Sequence, residues 1–172
     1  MSVLIKDGTV LSPAGGIAAD VLVEGERIAA LLQPGATLGG SEIAADRVID
    51  ATGKYVVPGG IDVHTHMQLP FGGTEASDTF ETGTRAAPWG GKGVIAPGSD
   101  ADVVIYNPSA KTTIGVATHH MNLDHSAYEG FLVDGGVDTV LSRGSVVIEN
   151  GMYSGRAGHG RFLERGLSQY LV

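Results

Sequence analysis

Short runs of β-branched residues and leucine, separated by glycine and acidic residues, fill the first third of the chain. They are VLIK, TVLS, DVLVEGERIAALL, RVID and YVVP, all within residues 1–58. Apolar residues that alternate with polar ones over a few positions are typical of half-buried strands. Turns are predicted between them at Asp7-Gly8, Gly25-Glu26 and Thr52-Gly53, because Asp-Gly and similar pairs favour tight hairpins.

The same pattern returns in the last part of the chain, from Val94 onward. DVVIYNP (Asp102–Pro108) predicts a strand, and KTTIGVAT (Lys111–Thr118) predicts a partner strand. DTVLSRGSVVIENG predicts a hairpin that turns at Arg143-Gly144. Asp100 and Asp102 precede the first of these strands, and Asx turns account for both of them.

The middle of the chain has a different pattern. Ile61–His66 predicts one buried strand, and DTFETGTRAA (Asp78–Ala87) predicts a helix. Ser77 or Asp78 is suited to cap that helix, because their side-chain oxygens accept from free backbone N–H groups. Pro88 ends it, since the residue before a proline disfavours the helical conformation.

These elements predict a mainly β fold with four parts. A β-sandwich is formed from the N- and C-terminal segments of the chain, and a short helical insert lies between them. The predicted boundaries are residues 1–58 for the N-terminal half, 59–91 for the insert, 92–155 for the C-terminal half and 156–172 for the tail.

Composition narrows the possible functions. The 172 residues contain no cysteine, so disulfides and thiolate metal sites are excluded. The net charge is −8 and Lys+Arg number only 11 without a cluster, which argues against nucleic acid and anionic membranes as partners. Lys6 and Asp7 interrupt the N-terminus before a signal peptide can form, and no stretch is apolar enough for a membrane span. We therefore expect a cytoplasmic protein.

His64 and His66 are the strongest candidates for chemistry. On a strand, residues i and i+2 point to the same face, so both imidazoles can approach one ion such as zinc. A His-x-His pair is a weak motif in a chain with six histidines. Two ligands also do not close a catalytic zinc site, which typically takes three from the protein.

The other histidines carry weaker signals. His119, His120 and His125 form a second cluster, but adjacent strand residues face opposite ways, so structural or solvent-exposed roles are expected. His159 lies in a glycine-rich tail without an evident partner.

A resemblance to a known family extends over nearly the whole chain. PGGIDVHTHMQLPFGGTEASDTFETGTRAA closely resembles the first barrel strand and helix of the D-hydantoinase/dihydropyrimidinase family of cyclic amidohydrolases. LIKDGTV, DVLVEGERIAAL and VIDATGKYVVPGGID resemble the family's N-terminal strands. KGVIAPGSDADVVIYNP, KTTIGVATHHMN, SAYEG and RGSVVIENG resemble its C-terminal strands, and GHGRFLERGLSQYL resembles its tail.

The resemblance implies that most of a catalytic barrel is missing. In the family, a (β/α)8 barrel of about 250 residues separates the two β segments. Here only about thirty residues lie between Gly59 and Lys92, a remnant of the first barrel strand and helix, and seven of eight barrel strands are expected to be absent. RAAPWGG and KGVIAPGSDAD are joined directly at Gly91-Lys92.

The resemblance also implies a site and its chemistry. The family opens hydantoin or dihydropyrimidine rings with two metal ions, zinc being the expected cofactor. Of the family's ligands, only the His-x-His pair maps here, onto His64 and His66. The carboxylated lysine, two further histidines and the aspartate that serves as general base belong to the missing strands. Gln68–Gly73 resembles the family's first substrate loop, with Leu69 and Phe71 as apolar lining.

Two functional hypotheses follow. The first is a non-catalytic β-sandwich scaffold domain that binds zinc weakly or not at all and takes no small-molecule substrate. The alternative is a reduced metal-binding protein or hydrolase that uses His64 and His66 with ligands recruited from another subunit or from the His119, His120 and His125 cluster. The resemblance implies self-association as the main partner interaction, and removal of a barrel exposes the apolar face that it covered.

Overall fold

The described part of the chain is built from strands. The computed structural model describes residues 1–61, 66–77, 79, 93–119 and 121–160. The strands are β1 (Ser2–Ser12), β2 (Gly15–Glu24), β3 (Arg27–Leu32), β4 (Thr37–Leu38), β5 (Ser41–Glu42), β6 (Arg47–Asp50), β7 (Tyr55–Pro58), β8 (Pro70–Phe71), β9 (Thr74–Glu75), β10 (Val103–Thr113), β11 (Leu132–Ser142), β12 (Ser145–Glu149) and β13 (Met152–Tyr153).

Nine of these strands form one mixed sheet that contains both ends of the chain. Its order is β13-β12-β11-β10-β7-β1-β2-β3, and β6 pairs with β1 as well. β1 is parallel to β6 along its first half and to β7 along its second half. β7 and β10 are antiparallel, with Val56 opposite Ile105, so this pair joins the N-terminal segment to the C-terminal one.

β1 bends where it passes from β6 to β7. The register against β2 shifts between Ile5 and Gly8, and Asp7 has a φ of 59°. Asp20 holds this bulge, because its Oδ1 accepts the Asp7 N–H at 2.7 Å. The predicted hairpin turn at Asp7-Gly8 is therefore wrong. These two residues form a β-bulge within one strand, and such bulges commonly let a strand pass from one layer to another.

A single core joins the two ends of the chain. Val3, Val21 and Ile28 from the N-terminal strands pack with Val103 and Ile105 from β10, and all five side chains are at most 1% exposed. A second, smaller cluster lies on the opposite face of the C-terminal strands and contains Val104, Val140, Val147 and Ile148. Strands buried on both faces read as continuous apolar runs, which explains VVI in β10.

The β2–β3 and β11–β12 hairpins both contact the segment that precedes β10. The Gly144 N–H donates to the Ala101 oxygen at 2.9 Å, and the Gly98 N–H donates to the Ile28 oxygen at 2.8 Å. Arg27 forms an ion pair with Asp100 across the same gap. The start of β3 is thus tied to the segment that begins the C-terminal block.

These observations confirm the mainly β fold and most of the predicted strands. The turns at Gly25-Glu26, Thr52-Gly53 and Arg143-Gly144 stand where the sequence predicts them. The separate strand predicted at Lys111–Thr118 is wrong, because β10 continues unbroken to Thr113. The predicted helix at Asp78–Ala87, apart from Thr79, and residues 62–65 of the predicted strand lie outside the described residues. The predicted domain boundaries stay predictions. No described helix has the length and apolar character needed to cross a membrane.

Candidate metal site and its surroundings

The candidate histidines follow directly after β7. The chain leaves the sheet at Pro58, passes Gly59 and Ile61, and is described again from His66. His66 is exposed, whereas His64 lies outside the described residues. Within the described ranges, no group of three His, Asp or Glu side chains is arranged to hold a metal ion.

The predicted substrate loop forms a very small hairpin. β8 and β9 pair only with each other, through Phe71 opposite Thr74 and Pro70 opposite Glu75. The Ala76 N–H donates to the Leu69 oxygen at 3.0 Å, which closes the base of the hairpin. Leu69 is 41% exposed, and the side chain of Phe71 lies outside the described part. The roles predicted for His64, His66, Leu69 and Phe71 stay predictions.

The second histidine cluster makes local contacts. The Met121 N–H donates to Nδ1 of His119 at 3.2 Å, so that this nitrogen is occupied. His125 Nδ1 lies 2.8 Å from Asp124 Oδ1, and this hydrogen bond lowers the pKa of the Asp124 carboxyl. Both residues of that pair are largely exposed. These positions agree with structural and solvent-exposed roles; His120 is not among the described residues.

A polar cluster around Asp102 connects three separate segments. The Asp102 carboxylate accepts the Arg143 N–H at 2.8 Å. The Arg143 guanidinium donates from Nη2 to the His159 oxygen at 2.7 Å, and His159 Nε2 lies 3.0 Å from the Ser142 oxygen. These hydrogen bonds connect three segments: the start of β10, the β11–β12 turn and the C-terminal segment.

Two sequence predictions are wrong at this cluster. Asp102 is not a local Asx turn, since its carboxylate bonds 41 residues further along the chain and the residue is 6% exposed. His159 has hydrogen-bond partners at both its backbone oxygen and its imidazole, although the glycine-rich sequence around it indicates none. No local sequence signal marks these contacts, because each depends on how β10 and β11 pair.

Burial controls the ionisation of Asp102. Removal from water raises the pKa of this carboxyl, and the nearby Asp100 carboxylate raises it further. The Arg143 backbone N–H and guanidinium and the His159 imidazole act in the opposite direction, but burial is the largest influence. The consequence is a buried acid whose ionised form is disfavoured in the folded chain.

Sequence comparisons relate the chain to enzymes that are much longer. It is 56% identical over 92 residues to the D-hydantoinase of Streptomyces coelicolor, a match that covers 54% of this chain and 20% of that protein. It is 48% identical over 95 residues to the D-hydantoinase of Geobacillus stearothermophilus, covering 55% and 19%. A D-phenylhydantoinase of Escherichia coli is 40% identical over 114 residues, covering 60% and 25%. The chain thus spans about a fifth to a quarter of these relatives, and no family model matches it.

Structural comparison defines the fold. The structure superposes on dihydropyrimidinase from Brevibacillus agri with a TM-score of 0.83 and 18% identity, over 96% of this chain and 99% of that chain. A crystal structure of a D-hydantoinase gives a TM-score of 0.83 with 15% identity, over 96% and 99%. The protein therefore has the β fold found in these hydrolase structures.

The sequence matches have a much higher identity than the structural matches, but they cover a smaller part of the chain. Over the matched part of its sequence, the chain is similar to D-hydantoinases. The structural superposition reaches 99% of its neighbours' length, whereas the sequence matches reach only about a fifth.

Proposed function

We propose that this chain is a non-catalytic β-sandwich scaffold domain of a hydantoinase/dihydropyrimidinase-like hydrolase. One observation carries the proposal. The Gly59 N–H, just after β7 ends, donates to the oxygen of Asp102, just before β10 begins, at 2.9 Å. The segment between these residues therefore leaves and rejoins the sheet at one place. None of the described residues of that segment adds a strand to the order of the main sheet, which supports a β domain that forms without it.

Polymer physics supports this division of roles. Closing a loop costs free energy that grows only with the logarithm of its length, about 0.6 kcal/mol for each doubling. A barrel or a short connection can accordingly occupy the same place without disturbing the sheet. A Cβ placed on Gly93 would lie 3.7 Å from Ile61 Cδ1, so the described parts of the connection also come together near its two ends.

The small number of predicted metal ligands supports a non-catalytic role. A catalytic zinc site takes three protein ligands and keeps one position open. The described residues hold His66 but no three-ligand group, and His64 alone would bring the pair to two. These residues do not fit a closed zinc site, and we propose that zinc is held weakly or not at all. The alternative is a reduced metalloenzyme whose site is completed by another subunit.

A turnover assay separates the two hypotheses. The purified protein is incubated at high concentration with dihydrouracil or a 5-substituted hydantoin, with and without added zinc or manganese. We expect no ring opening above the rate without protein, and no stoichiometric metal after dialysis. A cooperative unfolding curve of the same sample serves as the control for folding.

Two variants make the negative result informative. His66→Ala removes a predicted ligand, and His125→Ala removes an exposed histidine outside the predicted site. Turnover or tight metal binding that His66→Ala abolishes and His125→Ala preserves would overturn the scaffold proposal. The cytoplasmic location stays a prediction that this assay does not address.

A further inference from the structure

The hairpin between β12 and β13 turns at Asn150-Gly151. Asn150 has a φ of 49° and Gly151 a φ of 73°, and Glu149 pairs with Met152 on either side of them. Two central residues with positive φ are typical of a type I′ turn, for which Asn-Gly is the favoured pair. The geometry of the turn thus explains its sequence, but the same pair brings together two groups that can react with each other.

Among the asparagines of this chain, Asn150 has the most reactive neighbour. The side-chain amide of an asparagine can be attacked by the backbone nitrogen of the next residue, and the attack is easiest where that residue has no Cβ. Asn107 precedes Pro108, which has no N–H to lose, and Asn122 precedes Leu123, whose branched side chain hinders the approach. Asn150 alone precedes a glycine.

The surroundings of the turn leave room for this reaction. Asn150 and Gly151 are both exposed, and a Cβ on Gly151 would meet nothing within 4 Å. Among the described residues, the Gly151 N–H has no hydrogen-bond acceptor. The β11–β12 turn has similar φ values at Arg143-Gly144, yet there the Gly144 N–H is bonded to the Ala101 oxygen. The backbone nitrogen that could attack is therefore held in that turn and accessible in this one.

The position of the turn at the edge of the sheet lets it change shape. β13 is the last strand in the sheet order and has only two residues, Met152 and Tyr153. Among the described strands it pairs with β12 alone, through two residue pairs. Strand ends held by so few hydrogen bonds open locally at little cost in free energy. Such openings let Asn150 and Gly151 take up the backbone conformations that ring closure needs.

We propose that Asn150 is a site of spontaneous chemical modification, at which deamidation gives aspartate and isoaspartate. The Gly151 nitrogen forms a bond to Asn150 Cγ, the bond from Cγ to Nδ2 breaks, and ammonia leaves with the proton of the former N–H. Water then opens the resulting succinimide ring. Its addition at Cγ gives aspartate, whereas its addition at the main-chain carbonyl carbon gives isoaspartate. Water is the only co-reactant, and the inference does not depend on the proposed function.

The two products differ in their effect on the sheet. Aspartate tolerates a positive φ and keeps the turn, and it places a further negative charge beside Glu149. Isoaspartate inserts a methylene carbon into the main chain, so that Glu149 and Met152 no longer face each other across a two-residue turn. We expect β13 to detach in this product, together with the Ser154 N–H that donates to the Val147 oxygen at 2.8 Å.

Peptide mapping of the full chain after incubation in warm, mildly alkaline buffer tests the proposal. Trypsin places each asparagine in a separate peptide, residues 93–111, 112–143 and 144–156. We expect Asn150 to lose its amide at least about tenfold faster than Asn122, a ratio that corresponds to a barrier lower by about 1.4 kcal/mol. Asn150→Gln is the matched variant, because its longer side chain disfavours the five-membered ring, and its 144–156 peptide should stay unchanged.

Two results would overturn the proposal. Equal rates at Asn150 and Asn122 would show that the neighbouring glycine and the accessible turn give no advantage. A 144–156 peptide that reacts in urea-unfolded protein but not in folded protein would show that the turn protects Asn150. Hydrogen exchange of the purified isoaspartate form tests the effect on β13, and protection of the Ser154 N–H equal to that in the unmodified chain would contradict the expected detachment.

Discussion

Replacing Gly144 with alanine is expected to lower the free energy of unfolding by about 2–5 kcal/mol. Gly144 has a φ of +74°, a conformation that costs L-residues about 1–2 kcal/mol. A Cβ at this position would also lie 1.9 Å from the Gly25 oxygen. That oxygen belongs to the β2–β3 turn and has no side-chain rotation by which to move away. The two hairpin turns must separate, which strains the contact between the N- and C-terminal segments.

Gly151→Ala is the matched control for this effect. Gly151 has a φ of +73°, yet a Cβ there would meet nothing within 4 Å. Its replacement therefore measures the backbone strain alone, about 1–2 kcal/mol. Urea denaturation of both variants gives the difference. Equal losses in the two variants would mean that the turns do not press against each other as described.

Replacing Asp102 with alanine is expected to lower the free energy of unfolding by about 1–3 kcal/mol at neutral pH, because it leaves the Arg143 N–H without its acceptor. Asp102→Asn keeps a side-chain oxygen for that bond and removes the buried charge. We therefore expect the asparagine variant to retain the stability of the wild type near neutral pH, or to exceed it. Chemical denaturation of the three proteins in the same buffer makes the comparison.

The pH dependence of stability should also differ between the wild type and Asp102→Asn, in a direction that can be measured. Because burial raises the pKa of Asp102, the folded chain holds this proton more tightly than the unfolded chain does. The wild type should lose stability relative to Asp102→Asn as pH rises from the ordinary value of 3.8 through the raised pKa. Below 3.8 the carboxyl is protonated in both states and the difference should level off. A wild type that gains stability relative to the variant over this range would contradict the assignment.

Local sequence signals predicted strands and turns well where the contacts are local. RVID and YVVP coincide with β6 and β7, and Arg143-Gly144 forms the turn between β11 and β12. Each of these depends on alternating apolar residues or on a turn pair a few positions long. The mainly β fold also follows from them, since they recur at both ends of the chain.

Long-range contacts explain what the sequence did not predict. Asp7-Gly8 has the same local signature whether it turns a hairpin or forms a bulge, and Asp20, thirteen residues away, decides for the bulge. The sequence alone predicts that Asp102 is a turn residue, because its hydrogen bond to the β11–β12 turn has no local sequence signal. The extension of β10 beyond its pairing with β7 could not be predicted either, because its length is set by strand pairing rather than by composition.

The described residues include part of the candidate site. His66 and Leu69 are exposed on the connection after β7, and the described residues bring no further ligands to them. Among the described residues, the strand order of the main sheet uses both ends of the chain and none between Pro58 and Val103. Residues 98–101 of the connection are bonded to the start of β3, so the sheet fixes the geometry of that end of the connection.

The central claim is that the two ends of the chain form one self-sufficient β domain. Its most direct test is to replace residues 62–92 with a short Gly/Ser linker and to compare urea unfolding with that of the wild type. We expect one cooperative transition in both proteins, with free energies of unfolding that agree within about 1 kcal/mol. Loss of cooperative unfolding, or a much larger loss of stability, in the linker variant would contradict it, because the sheet would then depend on the segment that it is proposed not to need.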